Sequence, residues 1–201
     1  MLSQIAVYLS VLALPVGSAE EFPQGQNVAR MKMTLASRAK LELLVNNLTE
    51  VFMTPFGPNG PSDAQKIDFA KSHEVRNAKT LANPHWVSKA RADELCVRYF
   101  GAGIRAHKVD GAKGYRVEWG DGEAGSYGFL NSVTRTGRDQ LRLEVWTYTT
   151  VAGSGPDYPE LAKMSKFPML EDYMAERGKT YTAVVQRIEG KSPRYIVKSW
   201  R

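Results

Sequence analysis

Three histidines, one cysteine and a group of carboxylates are the side chains here that would make a catalyst or a metal site. His73, His85 and His107 form no His-x-His or His-x-x-x-His pair, so no two imidazoles share a strand edge or a helix face as a bound metal requires. Neither a metal site nor a cofactor is expected. Cys96 falls inside an expected helix, where a lone cysteine packs as a small hydrophobe, and no flanking pattern pairs it with His73 or His107 as nucleophile and base. Asp110, Glu118, Asp121 and Glu123 crowd around two turns. Trp119-Gly120-Asp121-Gly122-Glu123 would offer two carboxylates to Ca²⁺ or to acid–base chemistry, but a calcium loop needs more oxygen ligands, and Asp-Gly is what a tight turn requires. Gly101-Ala102-Gly103-Ile104-Arg105-Ala106 matches the dinucleotide fingerprint in letters only: that fingerprint follows a strand and opens a helix, and here the order is reversed. With no Gly-x-Ser-x-Gly elbow and no P-loop, no catalytic set emerges.

Charge gives a more definite signal. Residues 179–201 carry Lys179, Arg187, Lys191, Arg194, Lys198 and Arg201 against Glu189 alone, most of the formal charge of +6. Alternation along a strand puts Arg194, Ile196, Lys198 and Trp200 on one face and Tyr195, Val197 and Ser199 on the other. Arg187, Arg194, Lys198 and Trp200 then form a basic, aromatic ridge for phosphate, a carboxylate-rich polymer or an acidic protein. Charge guarding an edge strand against aggregation accounts for the same residues equally well. Trp86, His107 and Trp119, with Tyr99, Trp146 and Tyr148, are the candidate lining of a pocket if the chain is an enzyme, with Asp110 or Glu118 as the acid–base group.

Elements must position these residues. Val28, Met31, Leu35, Ala39, Leu41, Leu44, Leu48 and Val51 recur at helical steps and predict a helix over residues 26–52. Arg30, Lys32, Arg38 and Lys40 lie off that stripe, as a solvated face or as a surface for anionic lipid. Three prolines and two glycines in residues 54–61 end the helix. Ser62 and Gln65 form a capping box opening a helix to residue 81. Asn83 and Pro84 suit the first positions of a third helix, over residues 84–100, with Gly101 as its stop. The pattern then changes to β-branched and aromatic runs between Gly and Asp turns, predicting strands over 104–109, 114–119, 126–134, 141–151, 180–188 and 192–200. A short helix over 168–177 precedes the last hairpin.

Helices followed by strands predict an α+β chain, with N-terminal helices on a curved antiparallel sheet of about five or six strands. This arrangement, closed by Arg194-Tyr195-Ile196-Val197-Lys198-Ser199-Trp200, resembles the cystatin-like and NTF2-like group over residues 62–201. The resemblance implies helices packed on a curved sheet, in a group that includes enzymes, binding modules and secretion scaffolds.

The 201 residues are 43% hydrophobic and 24% charged, which excludes disorder, collagen and coiled coil. Residues 1–19 carry no charge, and their apolar run at 5–16 followed by Gly17 and Ala19 predicts a signal peptide cut before Glu20 or a retained anchor giving membrane association. Residues 20–61 then comprise the amphipathic helix and Pro/Gly loop, and 62–201 the α+β domain. A single cysteine suits a periplasmic chain better than a disulfide-stapled secreted one. Asn47-Leu48-Thr49 is a glycosylation sequon inside a predicted helix, read as chance. The expected function is an exported, non-catalytic binding or scaffold protein whose partner is a protein or anionic envelope polymer, nucleic acid being disfavoured by export. The alternatives are a tethered subunit of a membrane assembly and a small NTF2-like pocket enzyme.

Overall fold

The computed structural model describes residues 33–77, 84–117, 124–151, 176–190 and 193–201. The predicted leader, Trp119, Glu118 and the short helix before the last hairpin lie outside these residues, except that 176–177 belong to a strand. Among the described residues are α1 (Leu35–Glu50), α2 (Asp63–Asn77), β1 (His85–Val87), α3 (Lys89–Phe100), β2 (Tyr115–Val117), β3 (Ala124–Arg135), β4 (Gln140–Val151), β5 (Glu176–Ile188) and β6 (Arg194–Trp200). The chain is mixed α and β. Its described strands divide into an antiparallel meander, β3-β4-β5-β6, and a separate β1-β2 ribbon, not one sheet of five or six.

Thr34 caps α1, its hydroxyl accepting from the Ser37 amide. Leu41, Val45 and Leu48 recur at helical spacing and are fully buried, in one core cluster with Leu130, Leu143, Val145, Ala183, Val185 and Val197 from the meander. Removing that apolar surface from water is the main force holding α1 to the sheet. Its basic residues turn toward the protein. The Arg38 guanidinium pairs with Glu42 at 2.7 Å and donates to the Leu130 carbonyl, while the Lys40 ammonium donates to the Pro193 carbonyl. No described helix is long and apolar enough to cross a membrane.

The end of α1 is unusual. The Met53 amide donates to the Leu48 carbonyl and the Phe52 amide to the Thr49 carbonyl, a Schellman closure whose pivot normally is glycine. Here the pivot is Phe52 at φ 52°, with a side chain 56% exposed. A left-handed backbone costs a residue with a Cβ about 1 kcal/mol, and this ring recovers little by burial. Phe52→Gly is therefore expected to stabilise the fold by about 1 kcal/mol, seen as a higher melting temperature.

The α2 capping box forms as the sequence predicts: the Ser62 amide donates to Gln65 Oε1 and the Gln65 amide to Ser62 Oγ. The start of α3 differs. Ser88 is its N-cap, accepting from the Arg91 amide, because His85–Val87 extends to pair with β2 through His85↔Val117 and Val87↔Tyr115. Gly101 stops α3 at φ 78°, as expected, and a Cβ there would lie 2.7 Å from Ile196 Cδ1.

Residues 104–109 are no strand. The Asp63 carboxylate accepts from the Arg105 and Ala106 amides, and Asp93 Oδ1 accepts from the Ile104 amide at 2.7 Å, so donors that a ladder needs are already committed. Two of these bonds also hold the Asp63 carboxyl below its usual range, the Arg105 amide contributing most.

The last strand corrects the face assignment made by simple alternation. Register passes from Val184↔Ser199 to Val185↔Val197, leaving Lys198 as an extra, bulged residue. Trp200 consequently falls on the same face as Val197. It is 1% exposed, stacks on Tyr181 with ring centroids 4.5 Å apart, and donates its indole N–H to the Met53 carbonyl.

Candidate anion-binding groove

Two predicted ridge residues, Arg187 near the end of β5 and Arg194 at the start of β6, do come to one region. Between them the chain turns back, and Pro193 and Tyr195 face the first half of α1 across two adjoining hollows. The first hollow, about 210 Å³, runs between α1, the end of α3 and the start of β6, with Lys40, Arg98 and Arg194 around an aromatic and aliphatic floor of Leu43, Leu44, Tyr99 and Tyr195. The second, about 220 Å³, lies at the N-terminus of α1 and is lined by Thr34, Ser37, Lys40 and Arg187. Lys40, Pro193 and Tyr195 belong to both. No carboxylate stands among the described lining residues of either.

The cations are held, not merely nearby. Lys40 is tied to Pro193. The Arg194 guanidinium donates from Nη1 to the Val97 and Arg98 carbonyls at 3.3 Å, in the last turn of α3, where the negative end of the helix favours a cation. Arg98 in turn stands over the Tyr99 ring at 5.7 Å. The Arg187 guanidinium pairs with Glu189 at 3.2 Å, so that end of the groove is partly neutralised. Preorganised cations over an apolar floor suit a ligand with a negative group and an apolar part.

A buried polar chain lies under this floor. The Asn47 amide donates to the Tyr99 hydroxyl at 2.5 Å, and that hydroxyl lies 2.9 Å from His73 Nε2. With its acceptor side taken by Asn47, the phenol has its proton available for Nε2, which leaves the imidazole neutral. His73 Nδ1 is buried with no hydrogen-bond partner among the described residues. Burial, followed by the nearby positive charge of Arg98, lowers the His73 pKa to about 4. Burial also raises Tyr99. Asn47, 7% exposed, commits its side-chain amide to the bond with Tyr99.

The other candidates lie apart. His107 bridges the Tyr115 hydroxyl (2.6 Å from Nδ1) and Asp93 Oδ2 (3.1 Å from Nε2), and Asp93 also holds the Ile104 amide. The order carboxylate, imidazole, hydroxyl is that of a nucleophile relay, but Tyr115 is 1% exposed and a hydroxyl shut from solvent meets no substrate. The triad straps the loop after α3 onto α3. Trp86, half-buried in β1, lies under the Lys113 ammonium at 6.0 Å. Lys198 sits at its bulge, outside the lining of both hollows. Asp110 accepts from the Arg116 amide as a turn clamp, and Trp146 donates to Glu144. The Cys96 thiol, buried and raised by that burial to about 12, donates to the Lys66 carbonyl. Among the described residues no group of three His, Cys, Asp or Glu is placed to hold a metal.

Charge counting along the sequence missed Lys40 and Arg98. Both sit on helices whose relation to β6 is tertiary, and the only local signal, Lys40 in the basic half of α1, pointed first to a solvated face and only second to lipid. Comparison with protein-family models, with curated proteins and with solved structures finds no match to this chain.

Proposed function

We propose that this chain is a non-catalytic binding or scaffold protein whose groove holds an anionic group of a protein or envelope polymer. The observation that supports it is the convergence of Lys40, Arg98, Arg194 and Arg187 from four separate elements on Pro193 and Tyr195. Such a cluster of like charges repels itself and is relieved by a bound anion. The apolar run at 5–16 supports export to the envelope, and the helices covering one face of a meander support a cystatin-like or NTF2-like relationship in the same proposal.

A hexaglutamate peptide titrated by fluorescence anisotropy tests the groove. Binding should weaken as salt rises. Arg194→Gln should reduce affinity about three- to fivefold while lowering stability by less than about 1 kcal/mol, because its charge is exposed. Lys198→Gln should change neither. Equal losses from both variants would mean diffuse attraction, and no binding by the parent chain would overturn the groove. For export, the measurement is the N-terminal residue of the chain isolated from its native cells: Glu20 supports cleavage, and Met1 in the membrane fraction supports the tethered assembly subunit instead.

A further inference from the structure

At the opposite end of α1 the sheet runs on past the helix, and Ser126, Thr147 and Thr149, the first two largely buried, form the floor of a separate cleft of about 310 Å³. We infer that this cleft is a saccharide site, binding a pyranose unit of a glycan with its ring against Phe52. The inference is independent of the anion groove.

The floor is a hydroxyl array. Ser126 pairs with Thr149 across β3 and β4, and Thr147 lies two residues back on the same face of β4. Hydroxyls so placed repeat at about 5 Å across the strands and about 7 Å along them, the scale of a polyol. Their bonding states narrow the ligand further. Thr147 Oγ1 donates to the Lys179 carbonyl and Thr49 Oγ1 to the Asn46 carbonyl, so both have spent their protons and can only accept. A ligand group that meets these two oxygens must itself donate. Phosphate and ionised carboxylates, which Lys179 in the lining would attract, cannot satisfy them, whereas sugar hydroxyls can.

The wall supplies the apolar half of the same recognition. Phe52 lines the cleft, more than half exposed, on a left-handed backbone that glycine would occupy without strain. Strain kept beside a cleft is a signature of ligand sites, and an exposed aromatic face is what the C–H face of a sugar ring covers. Tyr181 and Trp200, stacked at 11°, close the wall behind.

The test is an amide NMR titration of the full chain with cellotetraose, and with tetra-alanine as the peptide that could also bring donors. Saturable shifts for cellotetraose centred on Phe52, Ser126 and Thr149 are expected. Phe52→Gly, which relaxes the backbone and so leaves the fold intact, should weaken binding about fivefold, and Thr149→Val should weaken it by removing one exposed hydroxyl. No shifts with cellotetraose, shifts mapping elsewhere, an unchanged affinity in Phe52→Gly, or binding of tetra-alanine alone would each overturn the assignment.

Discussion

Replacing Leu48 with alanine is expected to destabilise the chain by about 2 to 5 kcal/mol. Leu48 has no exposed surface, and it stands in the core cluster between α1 and the meander. The loss combines the transfer of its methyl groups back to water with the void left among side chains fixed by a sheet that cannot follow inward. Leu44, one turn earlier, is the less informative choice because it also lines the groove. Chemical denaturation measures the difference, and a change below about 0.5 kcal/mol would mean that α1 does not pack on this core.

The second large effect belongs to His73. In the native chain its imidazole gains a proton only near pH 4, against about 6.5 when unfolded. Between those values the unfolded state binds the proton and the native state does not, so stability is complete above about pH 6.5 and falls as the pH drops toward 4. The full shift corresponds to a loss of about 3 kcal/mol. The structural reason is visible: protonation would make Nε2 a donor as well, facing a Tyr99 hydroxyl that already accepts from Asn47, while Nδ1 has no acceptor among the described residues. Charged neighbours work on the same site, Arg98 and Arg91 opposing protonation and Glu74 favouring it. Glu50, raised by burial, acts in the opposite sense, gaining protons in the native state first. The informative measurement is therefore the difference between the chain and His73→Phe in urea midpoint from pH 7 to pH 4. The variant should show a clearly shallower decline, and parallel curves would refute the buried neutral imidazole.

How much of this was legible depended on whether the signal was local. Ser62 with Gln65, and Gly101 after Phe100, are decided by hydrogen bonds within a few residues, and both stand where the sequence places them. The helical stripe through Leu41, Leu44 and Leu48 and the last four strands follow from periodicity, although α1 is described only from Leu35. Competition was not legible. Asn83-Pro84 was a sound helix start until β2 offered His85–Val87 a partner, and residues 104–109 had strand composition until Asp63 and Asp93 took their amides. A single bulge at Lys198 was enough to turn Trp200 from the ridge into the core. Of the candidate site, the sequence supplied Arg187 and Arg194 through their charge, whereas Lys40 and Arg98 required knowing that α1 and α3 flank β6.

The two outer strands of the meander bear on how this protein meets others. Along β3 the Gly128 amide is bonded to Asn46 Oδ1 and the Leu130 carbonyl to the Arg38 guanidinium. At the far end of β6 the Trp200 amide and carbonyl are both bonded to Phe56. An extended peptide pairing at these positions would have to evict a side chain or a loop before its backbone could join the ladder. Recruitment by main-chain zippering is thereby discouraged, and so is the runaway stacking that open sheets invite. What the surface offers a visitor is side-chain chemistry, which can tell one visitor from another in a way that a bare backbone cannot.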